Sequence, residues 1–168
     1  MFGVERQTLR TNDDITAIYQ RHVKTVYRLC YAYLRNPNDA EDAVQNVFIK
    51  LINHTGSFES AEHEKAWLIT CATNHCKDVL KSAYSKRTDF DVPDVADGSL
   101  APLGGSDVLQ AVLALPEKYR ATVYLHYYEG YKTDEIARMI DKPGSTVRSY
   151  LSEARALLRN ALEGGRNA

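Results

Sequence analysis

Apolar residues recur at a helical period along three stretches of the chain, stop, and then recur along three more. In the first stretch Ile15, Ile18, Tyr19, His22, Val26, Leu29, Cys30 and Tyr33 share a face, which predicts a helix capped by Asp13 or Asp14 and ending near Asn36-Pro37. In the second, Asn38 followed by Glu41 reads as a capping-box variant with Asp39 and Asp42 in the first turn. Ala43, Val44, Val47, Phe48, Leu51 and Ile52 supply its apolar stripe, and the helix stops before Gly56. A polar loop carrying Phe58 leads to a third helix from about Glu62 to Ser82, with Ala66, Trp67, Ile69, Cys76, Val79 and Leu80 among its apolar members. Three helices of this size make one bundle. The period then disappears: Thr88 to Asp107 holds five Asp and no Lys or Arg among Pro, Gly and Ser, the composition of a flexible acidic linker. From Val108 the period returns. Val108, Val112 and Leu115 lead to Pro116, placed for the first turn of a helix running to Tyr128, with Gly130 as its stop. Thr133 can cap a short helix whose Ile136, Ala137 and Ile140 face inward. The turn signal Asp141-Lys142-Pro143-Gly144 precedes a last helix from about Ser145 to Leu162, with Val147, Leu151, Ala154, Leu158 and Ala161 on one face. No segment reads as a strand. The expected fold is all-α: a first module over 1–87, a linker over 88–107 and a second module over 108–168.

Composition narrows the function. A chain of 168 residues, 44% hydrophobic and 26% charged, is that of an ordinary globular protein. Met1 to Arg10 holds no secretory apolar run, and nothing approaches the ~18 continuous apolar residues of a membrane span, so the expected compartment is the cytoplasm. Cys30, Cys71 and Cys76 form no disulfide framework and read as buried thiols. Cys71, His75 and Cys76 could share a helical face, but a zinc site would need a distant fourth ligand such as Cys30 or His63; neither metal nor cofactor is expected. No phosphate-cradling Gly loop and no nucleophile–base pair is present, so neither catalysis nor a small-molecule substrate is expected. The net charge of −1 gives no global field for phosphate, so DNA binding requires a local patch or a partner.

Two short helices joined by a tight turn, the second amphipathic and opening on small hydroxyl residues, fit a helix-turn-helix whose second helix enters the major groove. With Val147, Leu151 and Ala154 inward, the DNA-facing candidates are Ser145, Thr146, Arg148, Ser149, Tyr150, Ser152, Glu153 and Arg155. Here the residues resemble a family. Leu115-Pro116-Glu117-Lys118-Tyr119-Arg120, Tyr128-Glu129-Gly130-Tyr131, Asp134-Glu135-Ile136-Ala137 and Pro143-Gly144-Ser145-Thr146-Val147-Arg148-Ser149 look like the minus-35-binding region of extracytoplasmic-function (ECF) sigma factors. Independently, the segment from Asp39 to Leu51 is similar to that family's polymerase-binding helix, and Ala66-Trp67-Leu68 with Asn74 and Lys77 resembles its promoter-melting helix.

The resemblance implies a transcription-initiation subunit that joins core RNA polymerase and directs it to promoter DNA. Asp39, Glu41, Asp42, Gln45 and Phe48 would meet the clamp coiled coil of the largest polymerase subunit, with Phe48 either an apolar anchor or core. Phe58, His63, Lys65, Asn74 and Lys77 would hold an unstacked minus-10 base, although Phe58 could equally plug its loop onto the bundle; Trp67 reads as core. The chain departs from the family at Tyr150 and Glu153, positions often basic there. Glu153 would either weaken the phosphate contact or change the base read, because a carboxylate accepts from cytosine N4. The acidic linker would thread toward the polymerase's RNA channel. No long extension after Ala168 suggests built-in control, so a separate anti-sigma partner is expected. The rival expectations are a stand-alone helix-turn-helix regulator and a polymerase-binding adaptor without full promoter recognition.

Overall fold

A computed structural model describes residues 10–86 and 107–166; the expected linker lies, except for Asp107, outside the described residues. Among these residues the chain is helical with no strand. The helices are α1 (Asn12–Leu34), α2 (Pro37–Asn53), α3 (Ala61–Lys86), α4 (Asp107–Leu113), α5 (Glu117–Val123), α6 (Thr133–Ile140) and α7 (Gly144–Arg166). A π-helical turn, Tyr124–Tyr128, continues α5.

Capping chemistry moves several predicted starts. α1 is capped by Thr11 rather than by Asp13 or Asp14: the Thr11 hydroxyl accepts from Asp14 N–H at 3.2 Å, and Asp14 accepts from Thr11 N–H at 3.1 Å. α2 begins at Pro37, earlier than the Asn38 box predicts. Pro37 forces the preceding Asn36 into extended backbone, and its own missing N–H is harmless in the first helical turn. Asn36 then caps, accepting from Asn38 and Asp39 N–H at 2.9 and 3.1 Å. In α6, Lys132 is the cap and Thr133 the first helical residue, with Glu135 accepting from Lys132 N–H at 3.0 Å. Asp141 ends α6 in the left-handed region (φ 54), and the Pro143 carbonyl starts α7 by accepting from Thr146 and Val147 N–H.

α1, α2 and α3 pack into one bundle around Val26, Leu29, Val47, Leu51, Leu68 and Ile69; α4 to α7 pack around Leu109, Leu125, Ile136, Val147 and Leu151. Each fully buried Leu or Ile contributes about 1.5–3 kcal/mol of transfer free energy. The two groups also pack on each other, α5 against α1 and α6 against α3. Polar ties also cross this seam. Arg120, buried from solvent, donates to the carbonyls of Ala32 (2.5 Å) and Tyr33 (2.9 Å) and to that of Leu115 in its own module (2.9 Å). Ala32 and Tyr33 lie in the last turn of α1, whose carbonyls have no intrahelical partner, so the guanidinium closes a helix end across the seam. Lys65 pairs with Glu129 at 2.6 Å, and the Lys77 ammonium donates to the Ile140 carbonyl at the end of α6.

Candidate functional site

α1 and α2 leave an open groove of about 750 Å³ lined chiefly by Tyr19, Val23, Tyr27, Val44, Phe48 and Ile49, with Lys24, Arg28, Glu41 and Gln45 among its polar members. Its apolar wall persists at the surface: Tyr19, Ile49 and Ile52 are exposed large hydrophobics. Of the five predicted polymerase contacts, Glu41, Gln45 and Phe48 line this groove, whereas Asp39 and Asp42 are exposed on α2 outside it. Phe48 is only 6% exposed and meets Tyr19 edge-on at 4.9 Å, so of its two readings the structure favours core. The α1 wall is what the periodicity missed. Tyr19 falls in the inward stripe of the sequence yet stands 45% exposed, because α2 covers only part of the broad apolar arc of α1.

The loop before α3 is pinned by rings. Phe58 lies 5.5 Å from His54, 5.6 Å from Trp67 and 5.4 Å from His63, with the Arg10 guanidinium 4.6 Å from its centroid. Arg10 also donates to the carbonyls of His54 and Gly56. Phe58 thus plugs its loop onto the bundle, and Trp67 packs partly buried on the core. Exposed His63 accepts through Nδ1 from Glu59 N–H at 3.1 Å. Behind the loop, buried Glu64 is anchored by His22 at 2.8 Å and Arg21 at 3.0 Å, which fixes the start of α3. Asn74 is exposed. Lys65 and Lys77 are spoken for by the second module, a placement that sequence reading did not foresee. Burial pushes the Glu129 carboxyl up, but hydrogen bonds from Lys65, Tyr124 (2.5 Å) and Thr25 outweigh it and hold the pKa below the ordinary value. Burial, with the neighbouring Lys142 ammonium, lowers the Lys77 pKa. The five minus-10 candidates therefore do not converge on one open pocket: the rings gather at the loop, and the two lysines lie along the seam.

On α7, Val147, Leu151 and Ala154 are buried as the periodicity requires, and Ser145, Arg148, Ser149, Ser152, Glu153 and Arg155 are exposed, with Thr146 and Tyr150 half-buried. Glu153 accepts a hydrogen bond from the Tyr119 hydroxyl, and Arg155 donates to the Tyr127 hydroxyl at 3.0 Å. As for metals, no three His, Cys, Asp or Glu among the described residues stand close enough to hold an ion. Cys76 instead lies against Cys30 in the core, and their mutual hydrogen bond together with burial raises the Cys76 thiol pKa far above its usual range.

A groove beside an acidic helix and a helix-turn-helix on the same chain match two known modules. Residues 18–86 match the family model Sigma-70 region 2, and residues 106–158 match Sigma-70, region 4. The ECF RNA polymerase sigma factor SigM of Mycobacterium tuberculosis is 31% identical over 147 residues, covering 86% of this chain and 75% of that protein. The chain belongs to the ECF sigma factors. SigW of Bacillus subtilis, also an ECF RNA polymerase sigma factor, is 30% identical over 166 residues, covering 89% and 87% of the two chains. Among solved structures, the sigma factor RpoE of Bartonella quintana, crystallised with the anti-sigma factor NepR, aligns at a TM-score of 0.71 with 20% identity, covering 90% of this chain and 98% of that one. CnrH, solved with the cytosolic domain of CnrY, aligns at 0.62 with 16% identity, covering 92% and 90%.

Within this sigma factor the region 2 match ends at the end of α3, and the region 4 match stops within α7, before its last turns. The described parts of both matched regions are helices joined by short loops, and the π-turn Tyr124–Tyr128 is a departure from regular α geometry that the sequence does not signal. At the π-turn, Glu129 N–H reaches Tyr124 O at 3.2 Å, which carries Glu129 round to face Lys65.

Proposed function

We propose that this sigma factor binds core RNA polymerase through the α1/α2 groove and the acidic face of α2, and directs the enzyme to promoters through both of its modules. The supporting observation is the groove: an apolar strip of Val23, Tyr27, Val44 and Ile49, with Glu41 and Gln45 on its α2 side and Lys24 and Arg28 on its α1 side, is the concave counterpart of an amphipathic helix pair whose basic flank lies along α2. The clamp coiled coil of the largest polymerase subunit is the partner assigned to it, with Asp39, Glu41, Asp42 and Gln45 supplying charge and amide contacts and Ile49 and Ile52 apolar area. Phe48 supports this surface from beneath.

Residues 1–87 act as the polymerase- and minus-10-binding module, 88–107 as the linker and 108–168 as the minus-35-binding module. Phe58, His63, Lys65, Asn74 and Lys77 meet the minus-10 strand, and Ser145, Thr146, Arg148, Ser149, Tyr150, Ser152, Glu153 and Arg155 face the minus-35 duplex. Positioning by polymerase supplies the field that a chain of net charge −1 lacks, because two weak contacts on one tethered scaffold act as one strong attachment. The protein works by binding rather than catalysis, and it works in the cytoplasm; among the described residues no helix is long and apolar enough to cross a membrane. A separate anti-sigma protein holds it inactive, and a pull-down from native cells that recovers no such partner under any growth condition counts against that.

The deciding experiment measures affinity for the host's core RNA polymerase, wild type against a variant carrying Asp42→Ala and Gln45→Ala. Both residues are exposed on α2, so their loss is expected to leave the fold intact and to weaken binding by about 1–3 kcal/mol. No binding by the wild type sinks the proposal and leaves a stand-alone helix-turn-helix regulator. Tight binding without promoter opening identifies an adaptor.

A further inference from the structure

The departures at Tyr150 and Glu153 form one cluster with two residues that lie outside the recognition helix. Tyr119, in the first turn of α5, is buried at the ring, 6% exposed, and its hydroxyl donates to the Glu153 carboxylate. The Tyr150 ring meets Tyr119 edge-on, with centroids 5.6 Å apart and planes at 81°. The Lys118 ammonium stands 5.0 Å from the Tyr119 centroid and 5.8 Å from that of Tyr150, close enough for each ring face to attract it. Glu153 itself is exposed, on the side of α7 away from buried Val147, Leu151 and Ala154.

An exposed glutamate facing DNA is usually a poor reader. It is repelled by phosphate, and fixing its rotamer costs up to ~2 kcal/mol of side-chain entropy. Tyr119 changes both conditions. A donor anchored in the core fixes the carboxylate before any ligand arrives, and the Lys118 ammonium over the two rings adds a positive charge to the cluster. A carboxylate offers about four acceptor sites, and the phenol occupies one of them. Two base-edge groups donate in the major groove, cytosine N4 and adenine N6; adenine sets the N7 acceptor beside its donor and so suits an amide, whereas a carboxylate suits cytosine N4.

We propose that Tyr119 is a specificity-positioning residue, holding Glu153 as a fixed acceptor that reads a cytosine amino group at one position of the upstream promoter element. Because Tyr119 and Glu153 are 34 residues apart and on different helices, the determinant is split between α5 and α7. The inference rests on the minus-35 reading above.

The test uses the full chain assembled with core polymerase on promoters randomised across the upstream element, reading base preference position by position for wild type, Tyr119→Phe, Glu153→Gln and the double variant. Wild type is expected to prefer cytosine at one position. Tyr119→Phe, which keeps the buried ring, is expected to lower that preference about five- to tenfold, the lower range for one base-edge contact, with the other positions unchanged. Glu153→Gln is expected to lower it similarly, and the double variant no further than either single one. A Tyr119→Phe profile identical to wild type overturns the proposal. So does a uniform loss at all positions, which marks Tyr119 as structural only. A wild type that binds core but shows no base preference anywhere in the element overturns the minus-35 reading itself, and the inference with it.

Discussion

Arg120→Met is the most informative single change at the seam between the modules. The native guanidinium satisfies two carbonyls at the end of α1, those of Ala32 and Tyr33, and a third at Leu115, while only 6% exposed. Methionine keeps the apolar stem and removes all three donors. Each buried carbonyl left without a partner costs ~1–3 kcal/mol. Against this, the variant no longer buries a cation: desolvation, aided by the nearby Arg35 charge, lowers the Arg120 pKa to about 10, so part of the native interaction is already spent on dehydrating the group. The expected net loss is ~2–4 kcal/mol, or roughly 5–15 °C in Tm for a chain of this length. Differential scanning calorimetry measures the loss. Fluorophores on exposed positions of α2 and α7 report in parallel whether the modules separate. Arg120→Lys, which retains a charge but cannot span three acceptors with one fork, is expected to fall between wild type and Met. If Arg120→Met melts at the wild-type temperature with an unchanged inter-probe distance, the guanidinium does not close α1, and the seam is held by its other contacts.

Other consequences can be measured directly. Because the folded Glu129 pKa is held below its ordinary value of 4.5, the Lys65–Glu129 tie stabilises fully above that pH and is lost as pH falls through the folded value. Glu129→Gln is therefore expected to lower stability at neutral pH and to flatten its decline below about pH 4.5 in urea titrations; an unchanged slope refutes the pairing. Phe48→Ala is expected to cost ~3–5 kcal/mol of stability. Ile49→Ala, at a position 54% exposed on the same groove, is expected to leave the melting curve nearly unchanged and to weaken core-polymerase binding, so a reversed pattern in the two assays refutes the division between core and contact. Arg148→Ala is expected to reduce the salt-dependence slope of promoter binding by about 1 with base preferences retained; a lost base preference assigns Arg148 to a base edge instead.

How far the sequence could be read depended on sequence distance. Stripes such as Ala43, Val44, Val47 and Leu51 repeat within one helix, so their burial was legible from spacing alone. The cap at Asn36 was missed by two residues because Asn38 carries an equally good capping signal, and the preference set by Pro37 decided between them. The inward side chains of α7 were legible for the same periodic reason. What Lys65, Lys77 and Glu153 touch was not, because their partners Glu129, Ile140 and Tyr119 are between 34 and 64 residues away and no local pattern records such a meeting. The burial of Phe48 was undecidable for a related reason: one helix predicts which face is apolar, but only the crossing with α1 decides how wide a strip is covered.

Lys65 and Lys77 are proposed to meet the minus-10 strand, and in the closed arrangement each is committed instead to the second module. A partner that needs both lysines therefore binds only the fraction of molecules in which the seam is open. If the polar ties and their packing favour closure by ~2.8 kcal/mol, that fraction is about one in a hundred, and the apparent affinity of such a partner falls by the same factor. A second ligand that prefers the open arrangement removes that handicap without touching DNA. Seen this way, the order of assembly follows from occupancy: whatever parts the modules first sets how tightly the next partner binds.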